Sequence, residues 1–319
     1  MLLRPARLAA LLLLLTGGVA IVTLLLGVGS GWRDVLAGDP FAIELITRLR
    51  APRLLTAMAA GCVLAVAGAA MQAQFRNPLA EPGLIGVSSG AALGAAFALS
   101  LGAGGWIVAL VSFAGALLAS TVAQRIAGLR AGTADLLLAG VAVNSFAGAA
   151  LTLIITFADD RTLRGITFWL LGSFTLADWP MALSLLAIAA LITLWIWRCW
   201  PLLNTLLLGE RVAFHTGFDP ASERRKLTIL TAAAVGITVA AVGTISFVGL
   251  IVPHILRRLS GGHYRTLIPL TALGGAFALA LADLVARQVM PPNELPVGAI
   301  TSLAGAPFFL WLLRGRRSA

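Results

Sequence analysis

The sequence predicts an all-α polytopic membrane protein that crosses a bilayer about ten times and carries no separate soluble domain. Three observations lead there. Apolar residues make up 59% of the 319 positions and charged residues 11%, against about half and a quarter in soluble domains. The apolar residues gather in runs long enough to cross a bilayer, which takes a helix of about 20 residues. The 23 Lys and Arg residues sit in small groups between those runs. A net charge of +10 in that arrangement marks the loops on one side of a membrane, not a nucleic-acid surface.

Taken in order, the spans are expected at residues 8–29, 54–75, 84–102, 106–124, 135–157, 179–199, 227–242, 244–257, 266–289 and 295–313. The first could pass for a secretory signal, but its apolar run exceeds the roughly 7 to 15 residues of a signal core, so a retained helix is expected. Residues 227–257 read as one unbroken run. As a single helix they would reach about 46 Å, well past a hydrocarbon core of about 30 Å, so two short helices with a turn near Gly243 fit better. Charge parity agrees. With both termini inside, 16 basic residues lie on the inner side and 7 on the outer side (Arg33, Arg48, Arg50, Arg53, Arg161, Arg164 and Arg287), which satisfies the positive-inside bias. The whole of 1–319 is then one transmembrane domain, with 200–226 as its longest inner loop. Cys62 and Cys199 lie in or beside apolar runs and suggest no disulfide framework.

The chain also echoes itself. Ala91 to Leu99 resembles Thr271 to Leu279, and Arg53-Leu54-Leu55-Thr56 loosely matches Arg225-Lys226-Leu227-Thr228. Because the second span runs inward and the seventh outward, a repeat of helices 2–5 in helices 7–10 would be inverted, as in many transporters. Small residues recur within the spans and favour close helix packing in lipid.

The most distinctive segment runs from Met71 to Ala91 and contains Arg76-Asn77-Pro78-Leu79-Ala80-Glu81-Pro82-Gly83-Leu84-Ile85-Gly86. Pro78 and Pro82 stop the second helix, and Gly83 and Gly86 permit irregular backbone before the next. Such backbone must be shielded by protein or line a wet cavity. On residues alone, an ordinary interhelical turn explains it equally well. There is one lysine, Lys226, and no Gly-x-x-x-x-Gly-Lys phosphate loop, so ATP is not cradled here in that way.

This segment resembles the hallmark of the FecCD-type permeases, which import ferric siderophores, haem and vitamin B12. The resemblance extends through Asp135 to Val143, Leu208-Gly209-Glu210-Arg211, Phe247 to His254, Ala282 to Arg287 and Glu294 to Gly298. It implies a type II ABC importer permease in a bacterial inner membrane, working as a homodimer with two ATPase subunits and a periplasmic substrate-binding protein. ATP and Mg would sit on the ATPase, with no cofactor or metal in this chain. The residues Leu208, Gly209, Glu210, Arg211, Val212, Ala213 and Phe214 match the family's ATPase-coupling segment, although Thr216 stands where relatives often carry leucine. Thr133 and Ala134 match its cytoplasmic gate, Ala134 replacing a serine; Thr133 also suits a helix N-cap. Arg50, Arg53 and Arg287 match arginines that dock the binding protein, where charge would orient encounter more than supply affinity; lipid-interface snorkelling is the plainer role. The family pattern at the break is Asn77, Pro78, Leu79, Glu81, Pro82, Gly83 and Gly86.

For the cargo, the segments Arg76 to Ala91 and Asn293 to Leu312 most resemble haem permeases of the family, so import of haem or a similar iron chelate by alternating access is expected, with vitamin B12 and ferric siderophores as alternatives. His215, His254 and His263 are read as structural and not as metal ligands. An ion-coupled secondary transporter would need ionisable residues in mid-membrane, whereas Asp135, Asp178 and Asp283 fall near span ends. A membrane enzyme would need a cluster of His, Cys, Asp or Glu at ligand or nucleophile spacing, and the sequence offers none.

Overall fold

The computed structural model describes residues 4–25, 32–128, 133–291 and 293–315, and all their regular structure is helical. In chain order the helices are α1 (Pro5–Leu25), α2 (Trp32–Leu36), α3 (Pro40–Leu45), α4 (Ala51–Gln74), α5 (Val87–Ser100), α6 (Trp106–Ala127), α7 (Thr133–Phe157), α8 (Asp160–Leu170), α9 (Trp179–Arg198), α10 (Trp200–Leu208), α11 (Glu210–His215), α12 (Pro220–Val242), α13 (Val248–Ser260), α14 (Tyr264–Gln288) and α15 (Val297–Gly315). A π-helical turn, Ile46–Arg50, leads into α4, and a 3₁₀ turn, Pro82–Ile85, precedes α5.

Seven helical stretches among the described residues are long and apolar enough to cross a membrane, and two shorter apolar ones, Val87–Ser100 and Val297–Leu310, join them. The eighth expected span is α13, which has 13 residues and two arginines in its last turn. At 1.5 Å per residue α5 reaches only about 21 Å, because the Pro82–Ile85 turn takes up the start of its apolar run. The split of residues 227–257 is as expected: α12 ends at Gly243, whose φ of 77° closes the helix, and α13 begins five residues later.

The chain forms two compact units. In the first (Met1–Val66, Gly172–Leu194 and Ile245–Ala319), α14 packs along α1, α13 and α15. Its approach to α4 is at backbone distance. A Cβ added at Gly61 would run into the Gly275 carbonyl, and one at Gly275 into that of Gly61. Lipid offers no hydrophobic force to join helices, so contact area gained by removing side chains is what holds such a crossing. In the second unit (Ala67–Leu171 and Trp195–Thr244) α5 lies along α6 by the same device, with Gly90 and Gly115 set against each other's carbonyls.

Three features differ from the sequence expectation. Pro40–Gln74 is one continuous helical path of 35 residues, so the stretch after Trp32 feeds directly into the second span. Residues 158–178, expected as a loop, contain α8, whose Ile166 is buried and whose N-cap is Asp159, accepting from the Thr162 amide at 3.3 Å. The Ala91 and Thr271 echo falls on α5 and α14, the third and ninth expected spans, whereas a repeat of helices 2–5 in 7–10 pairs the third with the eighth. That echo therefore records small-residue packing at two crossings. The shared break is the stronger sign of repetition: α4 and α12 are each followed by irregular backbone and a short helix entered through a left-handed residue, Gly86 (φ 88°) and Phe247 (φ 68°).

Candidate functional site

Two constellations stand out, one in each unit. In the second unit the chain leaves α4 through Arg76, a non-glycine residue at φ 48°. Asn77 Oδ1 then accepts from the Leu79 amide at 3.0 Å, the local turn that asparagine favours. Pro82 opens the 3₁₀ turn and Gly86 closes it. The turn is tied to α7 by polar contacts: Ser89 Oγ meets Asn144 Oδ1 at 2.5 Å, and Asn144 Nδ2 donates to the Gly83 carbonyl at 3.2 Å. Gly140 lets α7 approach so closely that a Cβ there would meet the Leu84 carbonyl. The irregular backbone is thus shielded by protein, as its depth requires.

Beyond α9 the chain makes a helical elbow. α10 ends at Gly209, whose φ of 118° no L side chain adopts readily, and α11 follows at once. Ala213 is fully buried, which seats α11, while Leu208 is 72% and Phe214 66% exposed, with Val212 beside them also exposed. Glu210 anchors the elbow through a 2.7 Å ion pair with Arg224 of α12, and the Arg76 guanidinium lies alongside Gly209. Thr216 Oγ1 donates to the Val212 and Ala213 carbonyls at 3.0 and 2.9 Å, closing the last turn. Arg211 is exposed. The elbow presents a fixed apolar face outside the long apolar helices, and exposed apolar patches of this kind mark contact surfaces.

In the first unit Arg53 is gripped by two carboxylates. Its Nε and Nη2 donate to Asp283 at 3.0 and 2.8 Å, and its Nη1 donates to both oxygens of Glu294 at 3.0 and 2.8 Å. Arg287, one turn after Asp283, sets its Nε 3.2 Å from the second Asp283 oxygen. Asp283 is 1% and Glu294 39% exposed. Thr175 Oγ1 also donates to Glu294, at 3.4 Å. Arg50 is 5% exposed and donates to the Leu24 carbonyl at the end of α1 at 2.8 Å. The three arginines expected to face outward for docking are therefore turned into the protein. Arg53 is held by charge-assisted bonds from its guanidinium fork to two carboxylates, Arg287 by one contact with Asp283 and Arg50 by a backbone carbonyl.

Sequence reasoning named the arginines and missed their partners. The Asp283/Arg287 spacing of four signalled one pair, but the pairing of Arg53 with residues 230 and 241 positions away had no local signal. Of the expected gate, Ala134 is exposed in the first turn of α7; Gly132 and the Thr133 side chain lie outside what is described. The three histidines serve locally: His263 Nδ1 accepts from the Arg265 amide at 3.3 Å to cap α14, His254 packs edge-on to Phe308, and His215 does so to Phe214.

Long apolar helices in this order, with a shielded break after α4 and an exposed apolar elbow, suit a membrane permease. The model of the FecCD transport family matches residues 9–315, and the chain belongs to that family of ABC transporter permeases. It is 41% identical over 298 residues to the vitamin B12 import system permease protein BtuC of Citrobacter koseri, covering 92% of this chain and 90% of that protein. With BtuC of Salmonella newport the identity is 42% over 303 residues, covering 92% of each. A solved metal-chelate type ABC transporter in an inward-facing conformation superimposes with a TM-score of 0.90 at 32% identity, covering 97% of this chain and 99% of that one. The haem preference drawn from Arg76 to Ala91 and Asn293 to Leu312 has no counterpart in these relatives. Those segments carry the helix break and the last span, features of the fold and not of a cargo.

Proposed function

We propose that this chain is the permease subunit of an ATP-driven importer of vitamin B12 or a closely related corrinoid. The observation that carries the energy source is the elbow of α10 and α11: an apolar face of Leu208, Val212 and Phe214, pinned by Glu210 and Arg224, in a chain without a phosphate loop of its own. Such a face suits a cleft on a nucleotide-hydrolysing partner that holds ATP and Mg. Two permease copies would enclose the path, two ATPase subunits would grip the elbows, and a periplasmic binding protein would deliver cargo. The charge bias supports a bacterial inner-membrane setting with both termini cytoplasmic. ATP binding and hydrolysis would move the elbow, and α7, with Thr133 and Ala134 in its first turn, would open or close the path. The similarity to vitamin B12 permeases over nine-tenths of the chain supports the cargo.

Docking by Arg50, Arg53 and Arg287 would then proceed by exchange: a carboxylate of the binding protein replaces the half-exposed Glu294 on Arg53 while the buried Asp283 stays. The cargo is tested with the purified binding protein. Tight stoichiometric cobalamin binding is expected. A Soret shift at stoichiometric haem, without cobalamin binding, would overturn the cargo assignment.

A further inference from the structure

The second unit contains a cavity of about 680 Å³ at the ends of α4 and α6 and the start of α12, behind the elbow. That size falls within the roughly 300–1,000 Å³ of small-ligand sites. Its charged lining is Arg125, Arg224 and Arg225 with Glu210 and Asp219. Glu210 is paired to Arg224, and Asp219 Oδ1 accepts from the Ala221 amide at 3.2 Å to cap α12. Against the one remaining carboxylate, Asp219, stand two arginines, Arg125 and Arg225, both exposed, so the balance is still positive.

Gln74 adds a second, independent feature. Gln74 is among the residues that line the cavity and is 2% exposed. Nε2 donates to Thr228 Oγ1 at 2.5 Å, and that hydroxyl spends its own proton on the Arg224 carbonyl at 2.8 Å. The amide orientation is thereby fixed, and Oε1 is left buried with no hydrogen-bond partner among the described residues. A buried acceptor without a donor calls for one. A ligand that satisfies both features carries a negative charge for the arginines and a hydroxyl for Gln74.

The surroundings say where such a ligand comes from. Ile229 lines the cavity one turn from Arg225 and is exposed, and Leu118 and Val122, on the Arg125 side of α6, are exposed as well. Two arginines at helix ends with uncovered apolar residues one to two turns deeper match a headgroup with its acyl chains. Basic pockets between transmembrane helices on the cytoplasmic side are known to take anionic headgroups. We propose that this cavity binds the phosphoglycerol headgroup of an anionic inner-leaflet lipid, the phosphate on Arg125 and Arg225 and a glycerol hydroxyl donating to Gln74 Oε1. The leaflet rests on the orientation proposed above. Because the cavity backs the elbow, the lipid would brace the surface on which the ATPase acts.

Native mass spectrometry of the purified full-length protein tests this, with phosphatidylglycerol, phosphatidylethanol or phosphatidylcholine added and glycerol 3-phosphate as soluble competitor. A single retained phosphatidylglycerol per chain is expected, preferred over phosphatidylethanol by about fivefold for the one hydrogen bond. Gln74→Leu should abolish that preference. Arg125→Gln with Arg225→Gln should weaken retention about thirty-fold, each arginine contributing in proportion, while Arg125→Lys with Arg225→Lys retains it. Equal retention of phosphatidylglycerol and phosphatidylcholine, or no effect of the glutamine pair, would overturn the site. Displacement by glycerol 3-phosphate at lipid-like concentration would overturn the lipid as occupant. Retention is read without transport, so its failure leaves the import reading standing, and failure of vitamin B12 import leaves retention untouched.

Discussion

The Arg53 cluster and the elbow treat their exposed chemistry in opposite ways. At Arg53 strong charges are neutralised within the chain, with two carboxylates and two arginines sharing one poorly solvated site. At the elbow, two large apolar side chains are left without cover although a glycine corner and an ion pair fix their position. A charge can be satisfied by a neighbour from the same fold, whereas an apolar face held rigidly in the open is satisfied only by something else. The first region therefore reports on how the fold is held, and the second on what it works with.

Substitutions sharpen this contrast. The largest effect is expected from Asp283→Ala, which leaves Arg53 with Glu294 alone and Arg287 without a carboxylate in contact. Breaking a buried pair from one side costs about 3–5 kcal/mol, read as a fall in folded yield and melting temperature. Arg53→Glu should do comparable damage by placing three carboxylates together. Combining Arg53→Glu with Asp283→Arg should recover much of the stability if the pair is structural, and uptake as well if docking plays no part. Stability recovered with uptake still lost would assign Arg53 to the binding protein.

At the elbow, Phe214→Ser should weaken ATPase association by about 2 kcal/mol, the size of an interface hot spot, with melting temperature unchanged. A drop in melting temperature with association intact would mean that the face is packed, not presented. Glu294→Gln is expected to matter less for stability, about 1 kcal/mol or below, because its carboxylate is partly solvated. The smallest effect concerns pH at α8. The hydrogen bond from Thr162 holds the Asp159 carboxyl below its usual range. A depressed carboxylate contributes stability above its unfolded pKa and loses it as pH falls through the folded value. Helix α8 should therefore fray in acid, and Asp159→Asn should flatten that dependence in hydrogen exchange.

Much of the fold was legible because lipid forces long apolar runs, and Pro82, Gly86 and Gly243 punctuate them by their own backbone limits. The short reach of α5 and the unbroken path into α4 were less legible, since apolar composition does not say where a 3₁₀ turn or a π-helical turn falls. Helix α8 hid in a segment polar enough to read as a loop. Within the site, Leu208 to Phe214 was named from resemblance, whereas the partners of Arg50 and Arg53 were not legible, because Leu24, Asp283 and Glu294 come from other parts of the chain. The Ala91 and Thr271 echo misled for a related reason: glycine and alanine recur wherever two helices must touch at the backbone.

The most direct test of the account is cobalamin uptake by proteoliposomes containing this chain, with and without its ATPase, in the presence of the loaded binding protein. Uptake is expected only with the ATPase and ATP, and it should be lost when Leu208 and Phe214 are both changed to serine in a chain that remains folded. Uptake driven by an ion gradient with no ATPase present would contradict the account.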